Sequence, residues 1–518
     1  MPGSGISRRR AFSTVSLLVA LASLPWPVGA AVWRVTPRIS ASETLTDNVN
    51  LSADDRQAAL VTRFSPGVNI TERGARTWAN LSYTLDGIIA VSGSGLTGGQ
   101  GRNRSRLFHR LNASGNAELV KQHLFIDGQA RRRQYATTLA GPIGIDNTAG
   151  FTNLSPVTVV QVSPYLTNHF GSFAESTLRY SYSRLFIDQA GTADTQTNRF
   201  SGTLQSGDAF SRLIWSLNAS RTQTKAAGGT GSGGSTGAGG SSTSQFTPGT
   251  FSQAAATLGY RLTPQLSVSV TGGYQENDFQ SFRNSISGPF WSVGFTWVPN
   301  QRGSLSASYG KRFFGSTTSL DLSYRRRTTL WQASFNQTIA SLRNVILTDA
   351  GTIQLPPDCP LTDPACQPIE MAVLRPEAVQ DIYVLRRRQA SVTLFSARHS
   401  ATLAYAFLRR TIERTGAESR QQGVTLSWNW RVKSNVSLTT SGGLQQIEPL
   451  NTPGEGIFWF TRLQLTYSLG GSPNVGAFSN VAGSSNVFVA YRHQSRDSSA
   501  GTFGYVENAL TAGISLSF

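Results

Sequence analysis

The sequence predicts an all-β chain: a transmembrane, antiparallel, up-and-down β-barrel of about 22 strands, within a range of roughly 16 to 24. Three observations predict this fold class. Apolar and polar residues alternate with a period of two along most of the chain. Short and long connections follow one another in turn, and the last strand ends on an aromatic residue.

The composition excludes several other classes of protein. Only 14 % of the 518 residues are charged, against roughly 25 % in an ordinary soluble domain. This low fraction does not fit a highly charged disordered chain or a helical chain rich in Leu, Glu and Lys. No internal apolar run reaches about 18 residues, so a helical membrane span is also excluded.

The first thirty residues have the features of a secretory signal peptide. Three arginines, Arg8 to Arg10, precede an apolar stretch from Ala11 to Leu24 and the small residues Val28-Gly29-Ala30. We therefore expect residues 1–30 to be removed and residues 31–518 to form a single barrel. Removal of the three arginines lowers the formal charge from +18 to +15.

Strands with one apolar and one polar face recur from Leu60 onward. One clear example is the segment from Leu266 to Thr271, in which Leu, Val and Val alternate with Ser, Ser and Thr. Pro37, Pro66 and Pro164 fall inside predicted strands, where each removes a hydrogen-bond donor and predicts a bulge or an edge-like position.

The connections place both chain termini on the side of the short turns. The longest loops are Gln223 to Gly249, which is rich in Gly and Ser, and Ser341 to about Ala378; a third long loop runs from about Thr137 to Ser155. We expect all three on the opposite, external side. The connection from Gly470 to Asn486 is long where a short turn is expected.

The only two cysteines, Cys359 and Cys366, lie in the loop from Ser341 to Ala378. In an oxidising compartment this spacing favours a local disulfide. Two hypotheses remain open for the loop. It either folds into the barrel as a stapled constriction or stays outside as a loop protected against proteolysis.

The last nine residues, Leu510 to Phe518, form an alternating segment that ends on an aromatic residue. This segment resembles the terminal assembly signal of bacterial outer-membrane barrels, with Gly513, Leu516 and Phe518 at the matching positions. The resemblance implies recognition by the barrel-assembly machinery. It also favours a membrane barrel over the soluble alternatives, a β-solenoid or a set of sandwiches or propeller blades.

The segments Trp33 to Val49, Phe64 to Val68 and Tyr383 to Ser391 are similar to the PEP-CTERM-system-associated outer-membrane β-barrel family, within a broader group of β-barrel porins. The resemblance covers nearly the whole mature chain in layout. It implies the outer membrane of a Gram-negative bacterium and a setting in exopolysaccharide production and export. It brings no catalytic residue to transfer.

The residues indicate no catalytic site, no metal site and no cofactor. The five histidines are scattered over different predicted hairpins, without metal-ligand spacing. The one Gly-x-Ser-x-Gly match, Gly233 to Gly237, lies in the Gly/Ser-rich loop and lacks the strand-to-helix context of a nucleophile elbow. A site of Ser, His and a carboxylate assembled across strands is the remaining alternative.

Arginine dominates the basic residues, because Lys occurs at only four positions. Guanidinium groups bind carboxylates and phosphates at two points, so a lumen lined by Arg favours anions such as acidic sugars. The alternative is a structural lattice in which these arginines pair with Asp86, Glu118, Asp127 and Asp321. The candidate lumen-lining residues are Arg34, Arg38, Arg63, Arg179, Arg212, Arg325 and Arg462.

These observations predict a pore or conduit associated with exopolysaccharide production or export. The alternatives are a general, anion-preferring diffusion porin and a non-conducting structural barrel. Expected partners are outer-membrane lipid, lipopolysaccharide through basic loop residues such as Arg102, Arg104 and Arg106, and exopolysaccharide export components. Nucleic acid is not an expected partner, because the positive charge is dispersed along an exported chain.

Overall fold

The computed structural model describes residues 31–92, 104–146, 148–150, 153–189, 192–227, 248–347, 377–450, 454–469, 484–499 and 504–518. The expected signal peptide, residues 1–30, lies outside these ranges, as do Cys359 and Cys366. Within these ranges, no helix is long and apolar enough to cross a membrane.

The described chain contains 22 strands and one short helix, α1, at Leu342–Leu347. The strands are β1 Val32–Thr46, β2 Ala59–Arg73, β3 Thr77–Ser92, β4 Arg104–Val120, β5 Leu124–Ala136, β6 Leu154–Phe170, β7 Ala174–Ile187, β8 Thr195–Ser206, β9 Leu213–Ala226, β10 Gly249–Thr263, β11 Leu266–Asp278, β12 Gly288–Asn300, β13 Gly303–Arg312, β14 Gly315–Arg325, β15 Thr329–Ala340, β16 Tyr383–Phe395, β17 His399–Ile412, β18 Glu418–Lys433, β19 Val436–Glu448, β20 Gly456–Ser468, β21 Ser484–Ser498 and β22 Tyr505–Ser517.

All 22 strands belong to one closed antiparallel sheet. Each strand pairs with its neighbours in sequence, and β1 closes the barrel on β22 from Arg38↔Ser517 to Thr46↔Ala509. Closure leaves no unpaired sheet edge. The predicted fold class and strand number are confirmed. The first residue of β1 and the last residue of β22 lie at the same end of the barrel, here called the short-turn end.

Connections differ at the two ends of the barrel. At the short-turn end most are brief, such as residues 264–265 and 434–435, although residues 469–483 join β20 and β21 there. At the opposite end, here called the loop end, most are longer. Phe313 and Phe314 alone join β13 to β14 at the loop end, so the alternation of short and long connections is not strict.

The three strand prolines do not produce bulges. Pairing between β2 and β3 lapses between Phe64 and Gly67, around Pro66, and resumes in the same register; the β6–β7 ladder lapses likewise at Pro164. Pro37 lies just beyond the β1–β22 pairs, where its carbonyl accepts a hydrogen bond from the Phe518 amide at 3.0 Å. A proline removes only an N–H, so a gap in the ladder suffices at Pro66 and Pro164.

Successive side chains point alternately outward and into the barrel, as the pairing register requires. On β11, Val268 and Val270 lie on the outward face and are exposed, whereas Ser267, Ser269 and Thr271 face inward. The buried hydrophobic clusters lie inside the barrel toward the loop end, where they join strands to residues of the connecting loops. This distribution places the packed core within the lumen.

Gly513 on the terminal strand packs directly against the aromatic ring of Phe488. Gly513 pairs with Phe488 across β21 and β22. A Cβ at Gly513 would lie 2.6 Å from Phe488 Cζ and 2.8 Å from the Ala41 carbonyl oxygen. Gly273 under Phe290 and Gly443 under Phe460 repeat the arrangement, so glycine at these inward positions makes room for the ring of the facing strand.

We expect Gly513→Val to lower the free energy of unfolding by about 1 to 3 kcal/mol, because the added methyl groups force Phe488 from its position. Urea unfolding of the refolded barrel, followed by tryptophan fluorescence, measures the change. Gly272→Val is the matched control, since a Cβ at Gly272 meets no atom within 4 Å. Equal unfolding midpoints for the two variants would contradict the steric explanation.

Candidate functional site

The lumen wall is made largely of Ser, Thr, Asn and Gln side chains that face inward. Neighbouring hydroxyls interact across strands, as in Thr257–Thr271 at 2.9 Å, Ser308–Ser319 at 2.6 Å and Thr393–Thr402 at 3.0 Å. A hydroxyl retains acceptor capacity after donating one hydrogen bond. These wall hydroxyls are therefore paired with one another and can still accept hydrogen bonds from water or from the hydroxyls of a solute.

Parts of two loops fold into the loop end of the barrel and contact each other there. We call them together the internal plug: residues 137–150 with residue 147 not described, helix α1, and residues 377–382. Ala136 forms a parallel bridge with Glu377, and the Ala378 amide donates to the Ala136 carbonyl at 3.0 Å. The two loops thus meet inside the barrel and form one packed unit.

A group of charges, buried except for the half-buried Asp146, attaches residues 137–150 to the barrel wall. Arg492 on β21 forms ion pairs with Asp146 of the plug and, at 2.8 Å, with Glu507 on β22. Glu507 is fully buried and also accepts a hydrogen bond from Thr46 on β1 at 2.7 Å. The attachment therefore joins the plug to the three strands at which the barrel closes.

A second arginine on β21 holds the backbone of the same plug segment. Arg496 is 2 % exposed and donates to the carbonyls of Leu139, at 2.7 Å, and Gly141. The Tyr505 hydroxyl donates to the carbonyl of Ile143. Three consecutive odd-numbered carbonyls that have no strand partner are thereby satisfied from the wall, as burial requires.

Helix α1 attaches to the wall mainly through apolar contacts. Leu342 and Ile346 are buried against Val157, Val159 and Leu185, which face inward on β6 and β7. The polar face is held by Arg343, which donates to Gln161 at 3.2 Å and Ser183 at 3.1 Å. The helix is too short to be stable alone, so these contacts keep it folded.

Residues 377–382 complete the plug. Glu377 accepts a hydrogen bond from the Leu139 amide at 3.2 Å and lies 3.6 Å from the guanidinium of Arg410 on β17. Burial raises the pKa of Glu377 above its usual range, although Arg410 opposes this shift. The Gln380 side-chain carbonyl accepts a hydrogen bond from the Ala193 amide at 3.2 Å, so the plug also contacts the loop between β7 and β8.

The plug revises the expected position of two loops. The sequence predicts the loop from about Thr137 to Ser155 on the external side, yet its described residues 137–146 and 148–150 lie inside the lumen, where Arg492, Arg496 and Tyr505 bind them. For the loop from 341 to 378, both described flanks lie inside the barrel, and residues 348–376 lie outside the described ranges. The described flanks fit the folded-in hypothesis.

The predicted lumen arginines divide into two groups. Arg63 pairs with Asp86 at 2.8 Å, and Arg179 pairs with Asp127, as the structural-lattice alternative expects. The other strand arginines have no carboxylate partner among the described residues. Arg34 and Arg325 are exposed on the inward faces of β1 and β14. Arg38 donates a hydrogen bond to Asn69 at 3.1 Å, and Arg462 donates one to Gln464 at 2.7 Å.

Arg212 does not lie on a strand. It precedes β9 in the turn at the short-turn end and is exposed. The sequence pattern extended the strand by one residue, so the side chain lies at the mouth of the barrel rather than on its wall.

The most deeply buried arginines, Arg410, Arg492 and Arg496, were missed by the sequence reasoning. A usable signal was present, because Arg492, Gln494 and Arg496 occupy successive inward positions of one strand. In the described part of the chain, no group of three His, Cys, Asp or Glu side chains is arranged to hold a metal ion.

We expect Asp146→Asn to lower the free energy of unfolding by about 1 to 3 kcal/mol at pH 7. Burial works to raise the pKa of Asp146, but the charge of Arg492 and hydrogen bonds from Thr148 hold it below its ordinary value of 3.8. A carboxyl whose pKa is lower in the folded state stabilises the fold above its unfolded pKa, and this contribution is lost as the pH falls through the folded pKa.

The difference between wild type and Asp146→Asn should therefore shrink below pH about 4. Urea unfolding at pH 7 and at pH 3 measures it. Asp208→Asn, in an exposed turn, is the control. A pH-independent difference would show that the charge of Asp146 does not stabilise the plug.

No protein-family model matches the chain, and no curated protein matches it. Similar solved structures include the siderophore receptor PirA from Pseudomonas aeruginosa (10 % identity, 94 % of this chain and 80 % of that chain, TM-score 0.42). A second is the FrpB iron transporter from Neisseria meningitidis (10 % identity, 93 % of this chain and 81 % of that chain, TM-score 0.46). A third is OccK7 from Pseudomonas aeruginosa (10 % identity, 95 % of this chain and 99 % of that chain, TM-score 0.35). Values this low carry no argument about function, so the fold rests on the strand pairing itself.

Proposed function

We propose that the barrel spans the outer membrane of a Gram-negative bacterium. Its outward face carries exposed apolar side chains such as Leu178, Leu258 and Leu403. Trp297 and Trp331 lie outward near the short-turn end, where an interfacial girdle is expected. Lipid cannot satisfy backbone hydrogen bonds, and a closed barrel leaves none exposed to it.

The proposed external side is the loop end, because charged residues on the outward face concentrate there. Arg386, Arg409 and Arg420 are direct cross-strand partners on β16, β17 and β18. Glu418 pairs with Arg409, and Glu448 lies 3.4 Å from Arg420. Like charges directly opposite one another repel, and two carboxylates do not neutralise three guanidiniums.

This outward row is the proposed contact for lipopolysaccharide, whose phosphates suit guanidinium donors. It replaces the three loop arginines that the sequence suggests for this contact. Arg104 and Arg106 lie on β4 rather than in a loop, Arg106 faces the lumen, and Arg102 lies outside the described residues. The barrel-assembly machinery remains the proposed partner of the terminal strand.

We expect the triple variant Arg386→Gln/Arg409→Gln/Arg420→Gln to bind lipopolysaccharide at least about tenfold more weakly, because charge-assisted hydrogen bonds to phosphate are lost. Binding to the refolded barrel in detergent measures this. The matched control replaces Arg302, Arg326 and Arg327, which lie in exposed turns at the opposite end. Equal loss in both triple variants would show a general effect of charge.

The function that these features support best is a conduit associated with exopolysaccharide production or export. The observation that carries it is a polar, hydroxyl-lined lumen whose loop end holds a plug made from the barrel's own loops. Residues 137–150 of the plug are attached to the wall chiefly by the side chains of Arg492 and Arg496. The association with exopolysaccharide is supported by the sequence resemblance.

A non-conducting structural barrel is the second candidate, and a specific observation favours it. Arg63, Arg110 and Asp86 form one ion-paired group inside the barrel, and Asp127 pairs with Arg179. Ion pairs of this kind connect neighbouring strands of the wall and have a structural role that requires no transport of ions or solutes. A general anion-preferring porin is less well supported, because the plug occupies the loop end.

Two measurements test the proposal. Planar bilayers with the full barrel should show ion current, and complete absence of current would leave only the structural barrel. In the producing bacterium, deletion of the gene should abolish surface polysaccharide and leave uptake of small solutes unchanged. Loss of uptake with intact polysaccharide would instead identify a general porin.

A further inference from the structure

A cavity of about 390 Å³ lies inside the barrel beside helix α1. Its wall includes inward residues of β8 to β11, the Phe313–Phe314 turn and the first residues of α1. This volume lies within the usual range for pockets that bind small molecules. The cavity therefore lies between the plug and the strands of the barrel wall.

Three arginines on separate elements contribute to this cavity: Arg199 on β8, Arg312 on β13 and Arg343 on α1. Among the described residues, neither Arg199 nor Arg312 has a carboxylate partner. The guanidinium of Arg312 stacks on the ring of Phe290, and the distance from its central carbon to the ring centroid is 4.9 Å. The acidic residue in the lining, Asp381, is already paired with Arg414 at 3.2 Å. The cavity thus has a positive charge that its own described residues do not balance.

The electrostatics of Arg343 agree with this charge count. Burial and the nearby charge of Arg199 lower the pKa of Arg343 to about 10. Its hydrogen bonds go to the neutral side chains of Gln161, Ser183 and Asn344. A bound anion would relieve the repulsion between Arg199 and Arg343.

A second, independent feature indicates a ligand with acceptor oxygens. Gln275 lines the cavity, is 4 % exposed, and its amide nitrogen has no hydrogen-bond partner. A buried donor without a partner destabilises the fold, because the desolvation of its N–H is not compensated. A hydroxyl or carboxylate oxygen of a bound molecule would satisfy this donor.

Aromatic rings complete the lining. Phe251, Phe313 and Phe314 all face the cavity, and the rings of Phe313 and Phe314 lie 5.1 Å apart, edge to face. Apolar ring faces suit the C–H faces of a pyranose. A pocket with aromatic walls and a few placed polar groups is the usual form of a specific small-molecule site.

We propose that this cavity is a binding site for a sugar acid, with the carboxylate bound by Arg199, Arg312 and Arg343 and a ring oxygen or hydroxyl bound by Gln275. The proposal rests on the proposed function in one respect, since it names the class of solute that enters the conduit. It places solute selectivity at Arg199, Arg312 and Arg343, which are not among the lumen arginines predicted from the sequence.

Calorimetric titration of the full refolded barrel with glucuronate, glucose and inorganic phosphate tests the proposal. Glucuronate should bind saturably and at least about tenfold more tightly than glucose or phosphate. Arg199→Gln and Gln275→Leu should each weaken glucuronate binding about tenfold or more. Gln275→Leu should not destabilise the barrel, because it removes a donor that has no partner.

Arg302→Gln, an exposed change at the short-turn end, is the matched control and should bind glucuronate as wild type does. Equal affinity for phosphate and glucuronate would overturn the assignment of a sugar acid. Unchanged affinity in Arg199→Gln and Gln275→Leu would overturn the site. Binding is measured without current, so a barrel that binds glucuronate but does not conduct would refute the conduit and leave the site intact.

Discussion

Replacing Arg492 by methionine is expected to lower the free energy of unfolding by about 3 to 5 kcal/mol, the usual cost of leaving a buried charge without its partner. Methionine retains much of the side-chain volume but leaves Glu507, which is 0 % exposed, and Asp146 without their counter-charge. Urea unfolding of the barrel in phospholipid vesicles, followed by tryptophan fluorescence, measures the loss.

Two further variants separate this effect from general changes. Arg38→Met removes an exposed inward arginine that hydrogen-bonds Asn69 and has no carboxylate partner among the described residues, and it should change stability by less than about 0.5 kcal/mol. Arg492→Met/Glu507→Gln should recover part of the loss, because the uncompensated carboxylate is removed. If Arg492→Met and Arg38→Met were equally stable, the buried ion group would not attach the plug.

Deleting residues 140–149 and joining the ends with a short Gly/Ser linker should raise single-channel conductance at least about severalfold, because open barrels of 16 to 18 strands already leave an aqueous channel. The deletion removes Asp146, the Gly141 carbonyl that Arg496 binds and the Ile143 carbonyl that Tyr505 binds. Planar-bilayer recording at neutral pH measures the change.

Deletion of residues 230–243, a Gly/Ser-rich part of the β9–β10 loop, is the control of comparable size. It should leave the conductance at the wild-type value. Equal currents from the two deletion variants would show that residues 140–149 do not restrict the pore, and the structural barrel would then become the better description.

The barrel could be predicted from the sequence and the plug could not, because the two depend on different kinds of contact. Period-two alternation, as in Leu266 to Thr271, reflects a strand with two different environments, and it is local in sequence. The plug depends on contacts such as Arg492–Asp146, between residues 346 positions apart. No local pattern encodes such a pairing.

A partial signal for the plug does exist in the strands that support it. Val157 and Val159 face inward while Val160 faces outward, so β6 is apolar on both faces at its loop end. Phe458, Trp459 and Phe460 show the same on β20. Strands apolar on both faces are covered on both faces, which indicates material inside the barrel without identifying it.

The amino-acid sequence predicts the all-β class, the strand number and the placement of the first and last strands with their free ends on the short-turn side. These features follow from local alternation and turn spacing. The tertiary structure decides which loops enter the lumen, which arginines form ion pairs, and which three arginines without a described carboxylate partner line the cavity beside α1. Burial makes each of those contacts strong enough to matter, and burial is set by distant segments coming together.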